Sequence, residues 1–423
     1  MHEFQSFCAM IEERFFMFSF GQKKSIYLDY AAATPCSTEV FAEMKPFFEK
    51  RFFNPSSASL LSREISSEIQ KSRESIAKNL GVRAQEIFFY DGATEANNML
   101  ILGAVSAFKR EQGIIPHIVA SAIEHPSIVE TLKSLLKRGE IELDFVPVDS
   151  LGRADLKALK NLLKENTALV SIGYVNNETG VVQDLKAISK ILRKQRKKQD
   201  TLFPFLHSDI VQAINYVDKI NPEKLGCDAV TISSGKIYGP KKMAALYRKK
   251  SLTIDPIFFG GTQESSYRSG TENVPYIVGF AKALENARKK QKEENERLSH
   301  IHKKFTEELS LLFPELIMNT PSLDLCSPHI VNISFPRVAH EEILFRLEES
   351  GYICSMKSAC KSGEEGDSHV ILAIRGENEN HLPTGSLRIS FGKDTVWKDL
   401  ENFLKDLSEI IKLIEDTHQR FLP

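Results

Sequence analysis

Three features that would indicate a membrane protein, a disulfide-bonded secreted protein or a nucleic-acid-binding protein are missing from this sequence. No apolar run approaches the roughly 18 residues that predict a membrane span. The 6 cysteines are scattered among 423 residues, without the short paired spacings of a disulfide framework or a zinc site. Lysine and arginine total 55 against 56 for aspartate and glutamate, so the net charge of −1 gives no support for nucleic-acid binding. We therefore expect a globular protein of the reducing cytoplasm, without a membrane or metal site.

The N-terminal segment also lacks the apolar core of a secretory signal peptide. Its phenylalanines make it aromatic, but the charged run at 12–14 interrupts any such core. We interpret residues 1–25 as an N-terminal extension of unknown role. It is an ordered extension, a partner contact or an overlong start of the reading frame.

Strand-like and helix-like segments alternate from about residue 32 to 248, which is typical of a mostly parallel sheet with helices on both faces. A helical stretch at about 277–312 leads to a smaller C-terminal part. The strand-like segments of that part are 330–335, 352–354 and 387–391. The sequence thus predicts an α/β fold with a large domain and a smaller α+β domain.

A lysine in a turn of small residues follows the apolar segment 228–232. Lys236 stands in the run Ser-Ser-Gly-Lys-Ile-Tyr-Gly-Pro, and alone it is better explained as a solvated surface lysine. Asp209 favours another interpretation, because it closes a second apolar segment, 202–206, and the two segments are candidates for neighbouring parallel strands. The amine and the carboxylate would then share the sheet edge at which open α/β sheets bind ligands. Pyridoxal phosphate requires this pair, a lysine for a Schiff base and a carboxylate that keeps the pyridine nitrogen protonated.

A second motif suits the phosphate of such a cofactor. The run Gly-Ala-Thr-Glu-Ala-Asn-Asn at 92–98 follows the strand-like segment 86–90 and opens a helical pattern. Backbone N–H groups and the positive end of a helix would meet an anion there. Thr94 is equally consistent with a simple helix cap, since such turns are common.

Together these motifs resemble the cysteine desulfurases, which belong to the class-V aminotransferase group of fold-type I pyridoxal-phosphate enzymes. The resemblance extends from Ile26 to about Ile414, in short blocks that follow the family's order. The blocks are 27–32 (Tyr-Leu-Asp-Tyr-Ala-Ala), 54–57 (Asn-Pro-Ser-Ser), 92–95 (Gly-Ala-Thr-Glu), 124–125 (Glu-His), 175–180 (Val-Asn-Asn-Glu-Thr-Gly), 236–240 (Lys-Ile-Tyr-Gly-Pro), 268–271 (Arg-Ser-Gly-Thr), 358–360 (Ser-Ala-Cys) and 387–390 (Leu-Arg-Ile-Ser). So many blocks in one order are hard to obtain by chance.

The resemblance implies the domain organisation of that group. A large cofactor-binding domain at 39–289 would contain a mostly parallel sheet of the seven-stranded type. Residues 26–38 would join 290–423 in the smaller domain, which carries Cys360 and Arg388. The active site would lie in the cleft between the two domains.

Carried onto matching positions, the resemblance also implies a set of cofactor contacts. Lys236 would bind the cofactor as a Schiff base, Asp209 would pair with the pyridine nitrogen, and Gln212 would touch the phenolic oxygen. His125 would stack on the ring and shuttle protons, although its place before a proline is also that of a helix cap. The remaining cofactor residues implied are Ala93, Thr94, Ser233, Thr271 and Asn177. Since Thr271 reaches across from a second subunit in this family, a homodimer is implied.

The substrate, L-cysteine, would meet two further groups. Arg388, with Asn177, would clamp the substrate carboxylate, because a guanidinium offers a bidentate fork and a buried charge on an apolar strand needs a partner. The Cys360 thiolate would attack the substrate sulfur, leaving L-alanine and an enzyme persulfide. A free thiol with a pKa of about 8.5 needs activation at neutral pH. Lys357 and Lys361 flank Cys360, and the polar segment that follows is typical of a flexible loop that carries sulfur to an acceptor.

The other cysteines are better interpreted as small buried core residues. They are Cys8, Cys36, Cys227, Cys326 and Cys354. The resemblance also implies a sulfur-acceptor protein, either a scaffold or a sulfur carrier, for the assembly of iron–sulfur clusters or other sulfur cofactors.

Four positions depart from the family pattern. Gly235 and Ser59 stand where the family has histidines, Ala33 replaces a threonine, and Asp91 replaces a serine and brings a negative charge near the phosphate cradle. These changes would weaken cofactor binding. Gly235, Asp91 and Ser59 leave open a catalytically degenerate partner subunit. A selenocysteine lyase or another class-V enzyme on the same scaffold is a second alternative.

Overall fold

The computed structural model describes residues 25–218, 220–336, 338, 340–356, 368–375 and 386–421. Residues 1–24 of the predicted extension, and the predicted sulfur-carrying segment with Lys357, Cys360 and Lys361, lie outside the described residues. Within the described ranges, no helix has both the length and the apolar character needed to cross a membrane.

After a two-residue strand, β1 (Ile26–Tyr27), the chain builds a seven-stranded sheet. Its strands are β2 (Ile87–Tyr90), β3 (His117–Ser121), β4 (Glu142–Val146), β5 (Thr167–Ser171), β6 (Phe205–Asp209), β7 (Ala229–Ser233) and β8 (Ala244–Arg248). The spatial order is β2-β8-β7-β6-β5-β3-β4. All neighbours pair in parallel except β8, which is antiparallel to both β2 and β7. The predicted mostly parallel sheet is confirmed.

Helices cover both faces of this sheet. They are α1 (Thr38–Met44), α2 (Pro46–Glu49), α3 (Leu60–Leu80), α4 (Ala93–Gln112), α5 (Pro126–Lys137), α6 (Leu156–Leu162), α7 (Leu185–Gln199) and α8 (Pro222–Leu225). Local capping sets several of their ends. Ser59 accepts a backbone N–H at the start of α3 and Asp155 accepts two at the start of α6, while Gly81 ends α3 with φ at +67°.

The two faces are visible in β2, whose residues alternate between two apolar clusters. Ile87 and Phe89 pack with residues of α3 and α7 on one face, and Phe88 and Tyr90 pack with residues of α4 and α5 on the other. All four side chains are buried, as expected for a strand with both faces covered. At β2 the sheet therefore lies between two layers of helices.

The C-terminal part has its own sheet and core. Its elements are α9 (Val274–Leu312), β9 (Ile317–Met318), β10 (Ile330–Ser334), α10 (His340–Glu349), β11 (Tyr352–Ile353), α11 (His369–Arg375), β12 (Leu387–Ser390) and α12 (Trp397–Phe421). Strands β12, β10 and β9 form an antiparallel sheet, and β1 pairs in parallel with β11. The strands predicted in this part are confirmed within a few residues.

Helix α9 takes part in both cores. Phe280 packs in a cluster of the large sheet, whereas Phe305 packs with Leu28, Phe391 and Phe403 in the C-terminal cluster. The domain boundaries expected from the sequence stay predictions.

One predicted segment was placed wrongly. The strand is not the apolar run 202–206 but β6, which starts at Phe205, because Pro204 has no N–H to contribute to a ladder. Leu202 is exposed, and Phe203 packs edge-on against Phe108 at 4.8 Å between ring centroids. The site is unaffected, since β6 still ends at Asp209 and pairs in parallel with β7.

Candidate active site

A cavity of about 250 Å³ lies at the carboxyl ends of β5, β6 and β7. Parallel strands bring the residues that follow them to one edge, which is the usual ligand site of open α/β sheets. The residues predicted from the sequence that line the cavity are Ala93, Thr94, His125, Asn177, Asp209, Gln212, Ser233, Lys236 and Arg388. The structure thus gathers most of the predicted site into one place.

The Asp209 carboxylate, at the end of β6, is held by both of its oxygens. Its Oδ1 accepts the Val211 N–H at 3.0 Å, and its Oδ2 accepts from Nδ2 of Asn97 at 3.0 Å. Asn97 is fully buried on α4 and also donates to Oγ of Ser127 at 2.9 Å. The sequence interpretation gave Asn97 no role, although a polar residue four positions after Ala93 on an otherwise apolar helix face was a usable signal.

Lys236 ends a single 3₁₀ turn that follows β7 directly. The turn is fixed because Thr34 donates its backbone N–H and its hydroxyl to the Gly235 carbonyl, at 3.2 and 3.1 Å. Asn215 donates to the Lys236 carbonyl at 3.0 Å, and the Lys236 amine donates to the carbonyl of Ala32. The amine therefore lies within the cavity wall rather than on a solvated surface.

His125 is both a cavity residue and the N-cap of α5, so the two interpretations of it hold together. Its Nδ1 accepts the Ser127 backbone N–H at 3.1 Å and lies 2.9 Å from Ser127 Oγ. Burial lowers the pKa of His125, and the nearby Lys236 and His369 lower it further, while Asp209 opposes them. The imidazole is therefore neutral near pH 7.

The start of α4 offers an anion site next to Thr94. Gly92 occupies the N-cap at φ 117° and ψ 161°, a conformation that side-chain-bearing residues rarely adopt, and no side chain caps the helix there. The first-turn N–H groups and the positive helix end are left for a ligand. Ala93 and Thr94, the first two helical residues, line the cavity.

Arg388 is the largest fully buried side chain among the residues that the structure describes, at 1% exposure. It donates through its two terminal nitrogens to Oδ1 of Asp29 at 2.6 Å and to the carbonyl of Asn177 at 2.9 Å. Its Nε has no hydrogen-bond partner among the described residues. Such a buried donor favours an anionic ligand. Asp29, which was missed, stands in the block 27–32.

Gln212 is more constrained than the sequence suggested. Its Nε2 donates to the Ala31 carbonyl at 2.8 Å, and its Oε1 accepts from Nε2 of His329 at 3.1 Å. Burial holds the pKa of His329 well below its usual range. The imidazole ring stacks on the ring of Tyr216, with 3.7 Å between the ring centroids. One amide hydrogen of Gln212 remains for a ligand.

Glu124 adds a carboxyl group to which the sequence interpretation assigned no role. It lines the cavity and accepts the Gly173 N–H at 2.6 Å. Burial raises the pKa of Glu124 to about 8, so the group is mostly protonated at neutral pH. Its backbone carbonyl accepts from His369 at 2.9 Å, which joins the start of α11 to the cavity wall.

The structure does not bring every predicted residue into this cavity. Thr271 is absent from its lining, and Cys360 lies outside the described residues. The described cysteines outside the motif are buried (Cys227, Cys326, Cys354) or half-buried (Cys36), and burial raises the pKa of each thiol. None of these four is in a disulfide.

Two of the four departures from the family pattern, Ser59 and Asp91, have local explanations. Ser59 caps α3, and Asp91 forms an ion pair with Arg268 at 2.7 Å. A Cβ at Gly235 would lie 3.6 Å from the nearest atom, in Lys241, so the position is not closed to a side chain.

A family model described as Aminotransferase class-V matches residues 26–403. The chain is 39% identical over 390 residues to a protein of Dictyoglomus turgidum named cysteine desulfurase IscS, covering 92% of this chain and 95% of that one. It is 33% identical to the mitosomal cysteine desulfurase of Encephalitozoon cuniculi, with 93% and 88% covered.

Solved structures are similar over comparable lengths. A structure described as a NifS-like protein matches with a TM-score of 0.83 at 32% identity, covering 92% of this chain and all of that one. Another, described as SspA in complex with cysteine, matches with a TM-score of 0.71 at 30% identity over 88% of this chain and 99% of that one. The similarity therefore includes both sheets.

Proposed function

The chain belongs to the class-V aminotransferase family, and we propose that it is a cysteine desulfurase that uses pyridoxal 5′-phosphate. One observation carries the proposal: Lys236, Asp209 and Arg388 share a single cavity. They supply an amine for an aldehyde, a carboxylate for a pyridinium and a guanidinium for the carboxylate of an amino acid. Relatives named cysteine desulfurase support L-cysteine as the amino acid.

The residues present fit this cofactor. The uncapped start of α4 suits a phosphate, the doubly held Asp209 carboxylate suits a pyridinium, and the Lys236 amine suits an aldehyde. We assign the phosphate to Ala93, Thr94 and Ser233. When bound, pyridoxal phosphate supplies an electron-withdrawing ring that is linked covalently to an amine.

His125 is assigned the movement of a proton, and Ser127 makes this possible. When the Ser127 N–H donates to Nδ1, the imidazole proton rests on Nε2. When Ser127 Oγ instead accepts from Nδ1–H, the Nε2 lone pair becomes a base. The same hydroxyl accepts from Asn97, which also holds Asp209, so hydrogen bonds connect the two cofactor-facing groups.

Arg388 is assigned the substrate carboxylate, with Asn177 beside it. Asp29 and the Asn177 carbonyl fix two of the guanidinium nitrogens and leave Nε as a buried donor. A carboxylate bound there gains a charge-assisted hydrogen bond from a buried guanidinium. The clamp would orient the amino acid with respect to the Lys236 amine.

Cys360 is assigned the sulfur-accepting thiol. Its thiolate attacks the sulfur of L-cysteine, so an S–S bond forms and the Cβ–S bond breaks. The electron pair of the broken bond stays on carbon, which takes up a proton, and L-alanine leaves while the persulfide remains. The raised pKa of the buried thiols, about 12 for Cys326, makes those cysteines poor competitors.

We further propose a homodimer that passes sulfur to an acceptor protein in the cytoplasm, for iron–sulfur clusters or related cofactors. Exposed aromatic side chains support a second copy: Phe41, Phe48, Phe52, Phe258 and Phe259 are more than half exposed. Thr271, outside its own cavity, would serve the partner's phosphate site. The free thiols of the described cysteines suit a reducing compartment.

Alanine release from L-cysteine with a thiol reductant tests the proposal. We expect alanine from the wild type and from Cys36→Ser, a control at a half-buried cysteine, but not from Cys360→Ser. No alanine from any of them despite bound cofactor would contradict a cysteine desulfurase, and a selenocysteine assay would then identify a selenocysteine lyase. Failure to bind the cofactor at all would favour a degenerate partner subunit.

A further inference from the structure

Arg268 holds two carboxylates beside the start of α4. Its Nη2 donates to Oδ2 of Asp91 at 2.7 Å, and its Nε donates to Oε1 of Glu95 at 3.0 Å. The other oxygen of Glu95 accepts the Asp91 N–H at 2.9 Å. The Arg268 side chain is 16% exposed, and the side chains of Asp91 and Glu95 are 47% and 23% exposed. The three groups form one ion-pair cluster, which we call the Arg268 cluster.

The cluster adjoins the proposed phosphate site without being part of it. Asp91 and Glu95 flank Gly92, Ala93 and Thr94, and Arg268 does not line the cavity. Negative side chains at a helix start are attracted to its positive end, where the backbone N–H groups lie. Without Arg268, these two carboxylates would compete with and repel a bound phosphate.

Arg268 is presented by a firmly held segment. Glu264, Ser265 and Ser266 in this segment have φ of 46°, 56° and 67°, which side-chain-bearing residues rarely adopt in succession. Glu264 fixes the segment, because its carboxylate binds Arg73 at 2.9 and 2.6 Å and accepts the Phe89 N–H at 2.8 Å. Such strain persists only where surrounding contacts hold it, so the Arg268 guanidinium is pre-positioned.

We propose that Arg268 is a positioning residue for the cofactor phosphate, acting by pairing with the carboxylates of Asp91 and Glu95 beside the positive end of α4, so that they do not compete with the phosphate. The inference rests on the proposed function, because it takes the anion at α4 to be the phosphate of pyridoxal phosphate. It also explains how the chain accommodates Asp91 beside an anion site. The Arg268 guanidinium offsets one of the two negative charges and holds both carboxylates by hydrogen bonds.

The test is the dissociation constant of the apo protein for pyridoxal phosphate and for pyridoxal, which lacks the phosphate. Arg268→Gln should weaken pyridoxal-phosphate binding by about tenfold, the scale of a charge at a helix end, and should leave pyridoxal binding unchanged. Arg268→Lys should restore most of the loss. The matched control is Arg110→Gln, which breaks the ion pair with Asp255 at the other end of α4 and should change neither constant.

The direction in which Asp91→Ser changes pyridoxal-phosphate affinity distinguishes the inference from a purely structural role. Alone it should keep or improve pyridoxal-phosphate affinity, and in the Arg268→Gln background it should recover about threefold of the loss, because one repelling charge is gone. A purely structural role predicts the reverse, with the second substitution adding to the loss. Thermal unfolding of each variant identifies any that fail to fold. In that case, the affinities of Arg268→Lys and Asp91→Ser for pyridoxal phosphate still test the inference.

Equal losses for pyridoxal and pyridoxal phosphate, or a further loss on adding Asp91→Ser, would overturn the inference while leaving the proposed function intact. A wild type that binds no pyridoxal phosphate would overturn both together.

Discussion

The two sides of the cavity, which we call the cofactor side and the substrate side after the roles proposed for them, are built from different kinds of contact. On the cofactor side, Asp209 ends β6, Lys236 follows the neighbouring parallel strand β7, and His125 caps the helix after β3. On the substrate side, Arg388 comes from the C-terminal sheet and reaches Asp29, which is 359 positions away in the chain. The cofactor side is thus set by short strand-to-turn units on one sheet, and the substrate side by the packing of two sheets.

Because of this difference, the two sides depend on different parts of the fold. The cofactor side needs correct strand order, which the large sheet fixes through its buried strands. The substrate side needs the C-terminal sheet and the segment around β1 to close over it. Perturbing one side should therefore leave the other measurable.

Among these substitutions, Lys236→Ala on the cofactor side should have the largest effect on turnover. Turnover should fall by about 10⁴-fold or more, because both the covalent link and an acid–base group are lost. Alanine release and the absorbance of the bound cofactor measure the effect. Lys190→Ala, at an exposed lysine of α7, is the control, and full turnover in Lys236→Ala would refute the assignment.

Acid should lower the unfolding free energy through groups on both sides, because each side contains a buried neutral histidine. Burial lowers the pKa of His207 on β6 and of His302 on α9 to about 4. Above about pH 6.5 both folded and unfolded forms are neutral; as pH falls towards 4 only the unfolded form gains protons, so each histidine removes up to about 3 kcal/mol of unfolding free energy.

Urea unfolding across this pH range measures the loss. His207→Gln and His302→Gln should each reduce the stability lost on acidification. An unchanged pH dependence in either variant would show that its histidine is not the group responsible.

Asp29→Asn should weaken the substrate side selectively. Arg388 would stay buried without its counter-ion, which lowers the unfolding free energy by about 2 kcal/mol, less than a full deletion because asparagine still accepts a hydrogen bond. The KM for L-cysteine should rise, while the affinity for the cofactor should not change. Asp255→Asn, at a surface ion pair, should lower stability by less than about 1 kcal/mol. Equal effects of the two would contradict the account.

Gly235→His should increase the affinity of the cofactor side for pyridoxal phosphate by a small amount. The position has room for a Cβ, and one added hydrogen bond would tighten pyridoxal-phosphate binding by about threefold. Titration of the apo protein measures this. Weaker binding would mean that the turn cannot adopt the family's arrangement.

The sequence placed Asp209 and Lys236 at one edge of the sheet because the signals for these two residues are local. An apolar run followed by Asp209, or by a small-residue turn with Lys236, places a side chain at the sheet edge without knowledge of distant contacts. The boundary of β6 was wrong, since apolar Phe203 packs against a helix rather than extending the strand.

The missed residues depend on contacts across the fold. No pattern links Asp29 to Arg388, or His329 to Gln212, because each pair joins separate elements. The pKa of Glu124 depends on burial, which a single sequence does not reveal. Arg388 was predicted only through the resemblance and its unusual place in an apolar strand.

The most direct test of the central claim is mass spectrometry of the holoenzyme after stoichiometric L-cysteine, without a reductant. The account predicts the added mass of one sulfur atom on the peptide that contains Cys360, and none in Lys236→Ala. A sulfur adduct on another cysteine, or alanine release with no adduct on Cys360, would contradict it.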